Sequence, residues 1–171
     1  MSDFTNQLSI STLALMLSIS HATTGAVIAS RIGNPYIAIP LIVLSHYLED
    51  AIAHWDAGTG LGSGKKTRRN AVTHGIIDLL LAGIIVLFFY PSTLNSILTS
   101  PALIFTLSPI WGAFFGLLPD FLEAPRNFLK YEPSWLRPIN KFHNSFHHSI
   151  PRVIDGLAPQ ILLLFVLYLL R

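Results

Sequence analysis

The chain holds 171 residues, 51% of them hydrophobic and only 12% charged, with a mean hydropathy of +0.55. A soluble domain of this size carries about 25% charged residues, so the composition points to the bilayer and the length to one domain, residues 1–171. The formal charge of +2 makes the isoelectric point near 9.1 a small excess of Lys and Arg rather than a nucleic-acid-binding surface, and the absence of cysteine excludes a disulfide framework, a thiolate metal site and a cysteine nucleophile.

Five segments meet the roughly 20 apolar residues that a spanning helix needs. The first covers roughly 8–30, "LSISTLALMLSISHATTGAVIAS". The N-terminus lacks the basic flank and cleavage site of a secretory signal, so this run is expected to be retained. The second covers roughly 35–55, with Pro35 at its start. The third covers roughly 72–90 and is closed by Pro91. Residues 92–99 read as a short interfacial turn. The fourth covers roughly 101–118, opened by Pro101, with Pro109 a candidate kink and Pro119 a stop. The fifth covers roughly 153–170. The "GTGLGSG" stretch at 58–64 lacks the spacing of a phosphate loop and reads as a flexible connection. The expected architecture is all-α, a polytopic membrane bundle of about five transmembrane helices.

Orientation follows from Lys and Arg placement. Lys65, Lys66, Arg68, Arg69, Arg126, Lys130, Arg137, Lys141 and Arg152 fall on one side, and only Arg31 and Arg171 on the other. The N-terminus is therefore expected in the cytoplasm and the C-terminus outside.

The titratable residues gather at the cytoplasmic side of that topology. His46, Asp50 and His54 recur four apart on segment two, and His74 and Asp78 four apart on segment three. Asp120 ends segment four, with Glu123 just beyond. His143, His147 and His148 lie in the loop that follows, in "HNSFHH". At 1.5 Å per residue, Asp50 and Asp78 lie at a matching depth, roughly 6–8 Å inside the boundary. Ionisable groups in a spanning helix are costly and are paired or functional. Carboxylates side by side repel, and a divalent cation removes that repulsion while using the imidazole lone pairs. Thiolate-free His/Asp ligation suits zinc first, then manganese or iron. The candidate ligands are His46, Asp50, His74, Asp78, Asp120, His143, His147 and His148, on the cytoplasmic side. His21 is as much a packing partner of Gly25 as a ligand, His54 reads as a helix-end cap near Asp56, Glu49 lies off the ligand stripe, and Asp155 is equally a helix-start neighbour.

"HATTG" (His21 to Gly25), "GLLPD" (Gly116 to Asp120) and "HNSFHHS" (His143 to Ser149) resemble elements of the bacterial and archaeal membrane-bound metal-dependent hydrolases. "SHYLED" is similar to that family's Ser-His-x3-Asp element, which maps onto His46 and Asp50. The His-x4-His-Ser element maps onto His143, His148 and Ser149. The chain departs from the family pattern at Leu122, where a second aspartate is usual, and in the order of the elements. The resemblance implies metal-assisted hydrolysis. Glu123 or Asp120 would act as general base, with Arg126 or Lys141 stabilising an anionic transition state. A site at headgroup depth suggests a lipid partner and a lipid phosphoester or ester, or a small molecule, as substrate. Two other readings stand beside it. His-x3-His-His at 143–148 also resembles a box of the membrane di-iron hydroxylases and desaturases, and the same polar residues could serve a metal or proton carrier.

Overall fold

The computed structural model describes residues 17–55, 67–148, 150 and 152–171. The first part of segment one, the glycine-rich connection at 58–64, Lys65, Lys66, Asp56 and Ser149 lie outside the described residues. Every regular element among those described is helical: α1 (Leu17–Ile32), α2 (Pro35–Asp50), α3 (Arg68–Phe89), α4 (Pro91–Thr99), a 3-10 segment (Pro101–Thr106), α5 (Ser108–Ala124), a π-helical turn (Pro125–Leu129), α6 (Arg137–Phe146) and α7 (Val153–Leu170).

Local chemistry sets the boundaries. Gly33 takes the left-handed conformation at φ 68° that ends α1. Asn34 then caps α2 by accepting the Tyr36 N–H at 3.0 Å, ahead of Pro35. Thr67 accepts from Asn70 N at 3.3 Å, so α3 starts four residues earlier than its apolar pattern suggests. The 92–99 segment is a two-turn helix rather than a turn. Pro109 sits in the first turn of α5, where its missing N–H costs nothing, so it does not kink the helix. Pro119 does not stop it either: α5 runs through to Ala124 and carries Asp120 and Glu123 on its last turns.

The all-α expectation holds, but the five full spans do not emerge from helix lengths. Among the described residues only α3, with 22 residues, is long and apolar enough to cross a membrane, a rise of about 33 Å. α2 and α5 have 16 and 17 residues.

α1 is the central helix, flanked by α2, α3, α5 and α7. It fits there because its inward residues are small: Ala22, Ala26 and Ala29 are all buried. Its closest crossing is with α5. A Cβ on Gly25 would lie 2.2 Å from the Gly112 carbonyl oxygen, and one on Gly116 would lie 2.2 Å from the His21 carbonyl oxygen. Gly112 and Gly116 are one turn apart, the small-xxx-small spacing that lets backbones touch. Around this centre, Leu41, Leu44, Leu48, Ile76, Leu80, Ile84 and Phe165 are exposed, whereas His21, His46, Asp50, Asp78 and Gln160 are buried. At the end away from Asp50, Arg31 donates to the Leu170 carbonyl at 2.8 Å, and Arg171 donates to the Phe89 carbonyl at 3.0 Å. These guanidinium groups satisfy the open carbonyls at the ends of α7 and α3.

Candidate metal centre

Four helices deliver side chains to one point. The stripe of α2 places His46 and Asp50 one turn apart at the end of the helix, and both are buried. α6 is amphipathic and turns Asn140 and His143 inward. The last turns of α5 bring Asp120, and α1 brings His21.

Asp50 is fully buried and is the hub. Its Oδ2 lies 2.7 Å from His143 Nε2 and 3.3 Å from His46 Nε2. The two imidazole nitrogens are 3.4 Å apart. Asp120 Oδ1 stands further out, 3.7 Å from His46 Nε2 and 3.8 Å from His143 Nε2. For bonds of about 2.0–2.1 Å, the ligand atoms of a tetrahedral zinc site are about 3.3–3.5 Å apart. The set brackets that edge length.

The orientation of each ring is fixed from behind. His46 Nδ1 lies 2.8 Å from the Gly116 carbonyl, which can only accept, so the ring proton sits on Nδ1 and the Nε2 lone pair faces Asp50 and His143. His143 Nδ1 has the Glu123 carboxylate 3.8 Å away, just beyond hydrogen-bond reach. Glu123 is itself paired with Arg126. His21 stacks on His46 with ring centroids 3.9 Å apart. Its Nε2 lies 3.2 Å from Asp50 Oδ1, and its Nδ1 lies 2.9 Å from Glu49 Oε2.

A second pair of histidines stands beside the first. His54 Nε2 and His147 Nε2 are 3.1 Å apart, and both fall within one ligand-sized group with Asp50. A backbone strap holds them: His148 N donates to the Asp50 carbonyl at 3.1 Å, His54 N to the His148 carbonyl at 3.1 Å, and Ile150 N to the His54 carbonyl at 2.7 Å. The strap also satisfies the open carbonyl at the end of α2.

Of the residues expected from sequence, His46, Asp50, Asp120, His143 and His147 are brought together. Three are not in these groups among the described residues. His148 contributes its backbone to the strap, while its exposed side chain turns back to the Phe146 carbonyl. His74 is partly exposed on α3. Asp78 is buried and accepts the Ser18 backbone N–H at 3.0 Å. Glu49 is the outer partner of His21 and stays off the ligand stripe, as its spacing implied. Asp155 pairs with Arg152 at 3.0 Å. The sequence left both His21 and His54 open. The signal for His54 was present in its spacing of four residues from Asp50.

A cleft of about 410 Å³ opens on this centre. Asp78, Asp120, Glu123 and His147 line its polar part, and Val72, Ile76, Leu79, Phe121, Phe128 and Leu129 its apolar part. Asp120 is therefore the member of the first group that faces open space. Its side chain is 29% exposed, against 0–2% for His46, Asp50 and His143.

No family model, curated protein or solved structure matches this chain. Its function has to be read from the site.

Proposed function

We propose that the chain is a membrane-embedded, metal-dependent hydrolase acting on a lipid phosphoester or ester at the headgroup level of the cytoplasmic face. The carrying observation is the graded His46–Asp50–His143–Asp120 cluster, three buried groups at ligand spacing with a fourth carboxylate facing a cleft. Three protein ligands with an open fourth position is the pattern of catalytic rather than structural zinc. Membrane embedding is supported by the exposed aliphatic surface around buried histidines and carboxylates. It is also supported by the apolar, largely exposed α3 and the glycine-to-glycine crossing of α1 and α5. In the five-span arrangement, α4 caps the outer end and the nine-to-two bias of Lys and Arg sets the site on the cytoplasmic side.

The division of labour follows from position. His46, Asp50 and His143 would hold the cation. A zinc-like ion there would supply Lewis-acid polarisation of the scissile group and lower the pKa of bound water from about 15.7 towards 7. Asp120 reaches the same point from the cleft and takes the proton as general base. Glu123 backs His143, and Arg126 is held by Glu123 near the cleft, where it balances anionic charge. The apolar wall of Val72, Ile76 and Phe128 suits an acyl chain. The motif likeness of "GLLPD" and "HNSFHHS" to membrane-bound metal-dependent hydrolases agrees with this reading.

The test is metal analysis of the purified chain in detergent, followed by a screen of phospholipid and acyl-ester substrates. Zinc or manganese is expected in the wild type and in Asp120→Asn, with turnover lost only in the variant. Asp50→Ala should lose the metal. Unchanged metal in Asp50→Ala overturns the site. Iron together with oxygen consumption would instead establish the di-iron oxidative reading, which the same histidines serve.

A further inference from the structure

The His54–His147 pair is not used by the mononuclear site, yet it is built like a ligand pair. His54 Nδ1 lies 2.7 Å from the Ile52 carbonyl. A carbonyl only accepts, so the ring proton sits there and the Nε2 lone pair points at His147. The two Nε2 atoms are 3.1 Å apart, close to a tetrahedral ligand edge of about 3.3 Å. Their position is not left to loose loops. His147 closes α6 one turn after His143, with the two rings 5.8 Å apart, so one helix sends one histidine to each position. The strap between 50–54 and 148–150 fixes the backbone on both sides. On the far side α7 presses on His54: a Cβ on Gly156 would lie 2.4 Å from Trp55 N, and Gln160 Nε2 donates to the Trp55 carbonyl at 3.1 Å. His147 also lines the cleft.

We propose that the centre is dinuclear, with a second divalent cation held by His54 and His147 and the Asp50 carboxylate shared between the two positions. Asp50 forms a ligand-sized group with His54 and His147, and its Oδ2 lies 2.7 Å from His143 Nε2 and 3.3 Å from His46 Nε2. A carboxylate shared between two pairs of histidines is a donor arrangement for zinc, manganese or iron. Two adjacent cations would clamp the attacking and leaving oxygens of an in-line displacement, which favours a phosphoester over an acyl ester as substrate. This inference rests on the metal reading of the first position, and the experiment separates the two.

The full chain in detergent is loaded with manganese(II), desalted, and its metal content measured together with its EPR spectrum. Two equivalents and an exchange-coupled signal are expected in the wild type. His54→Gln and His147→Gln should each retain one equivalent with an uncoupled signal, and Asp50→Ala should retain none. Helical circular dichroism and a single size-exclusion peak identify the variants that remain folded. One equivalent in the wild type, unchanged in His54→Gln, overturns the second position and leaves the first intact. Folded His54→Gln without metal overturns the assignment of His54 to a separate position. A wild type that binds no manganese and no zinc overturns both readings.

Discussion

At the residue scale, the site is an exercise in satisfying buried polar atoms. Asp50 would be costly in an apolar interior, but His143 Nε2 lies 2.7 Å from its Oδ2 and His21 Nε2 3.2 Å from its Oδ1. Removing one partner leaves the others exposed to that cost. Glu123 offers the mildest probe because it acts through His143 and Arg126 rather than at the hub. Glu123→Gln keeps the shape and removes the charge behind His143. Groups behind a ligand typically change metal affinity by about 10–100-fold. A loss of that size is expected in a competitive chelator titration, with the fold retained. An unchanged affinity would show that the 3.8 Å approach of Glu123 to His143 has no bearing on the ligand.

At the element scale, helix contacts decide which residues meet, and here the sequence was legible only in part. The spacing of His46 and Asp50 was readable because both lie on one uninterrupted helix. Asp120 and His143 were readable as polar groups stranded beside apolar runs. His54 shared that four-residue spacing, but it could not be placed from it, because α2 ends at Asp50 and the position of His54 depends on a strap 94 to 96 residues away in sequence, at His148 and Ile150. Pro119 does not act as a stop because a proline in an apolar helix can be accommodated within it, and α5 continues to Ala124. His74 and Asp78 share the four-residue spacing of a ligand pair, but α3 delivers Asp78 to the start of α1 instead. The "HATTG" and "GLLPD" glycines turn out to be contact points between helices as much as motif letters. Gly116→Ala would force a methyl group to within 2.2 Å of the His21 carbonyl. Overpacking of this kind costs about 1–3 kcal/mol, and both His21 and His46 hang on that contact. A lowered melting temperature in detergent together with weaker metal binding is expected. Gly83→Ala, with nothing within 4 Å of its Cβ, should change neither. Equal effects from the two substitutions would remove the packing explanation.

At the scale of the whole molecule, the polar centre and the two guanidinium caps lie at opposite ends of the helices. Arg31 and Arg171 close the ends of α7 and α3, and Arg171 lies 3.9 Å over the Tyr168 ring. Asp50, Asp120 and His143 sit with Arg126, Arg137 and Lys141 at the other end. The orientation proposed above rests on these basic residues beside the site, by the positive-inside rule. The chain has no cysteine, so single cysteines can report each end directly. Asn95 on α4 and Lys141 on α6 are both exposed and belong to opposite ends. In intact cells, Asn95→Cys should react with a membrane-impermeant maleimide, and Lys141→Cys should react only after permeabilisation. The reverse pattern would invert the orientation while leaving the metal centre standing. Labelling of both positions in intact cells would mean that no bilayer separates them, and would overturn the proposed membrane embedding.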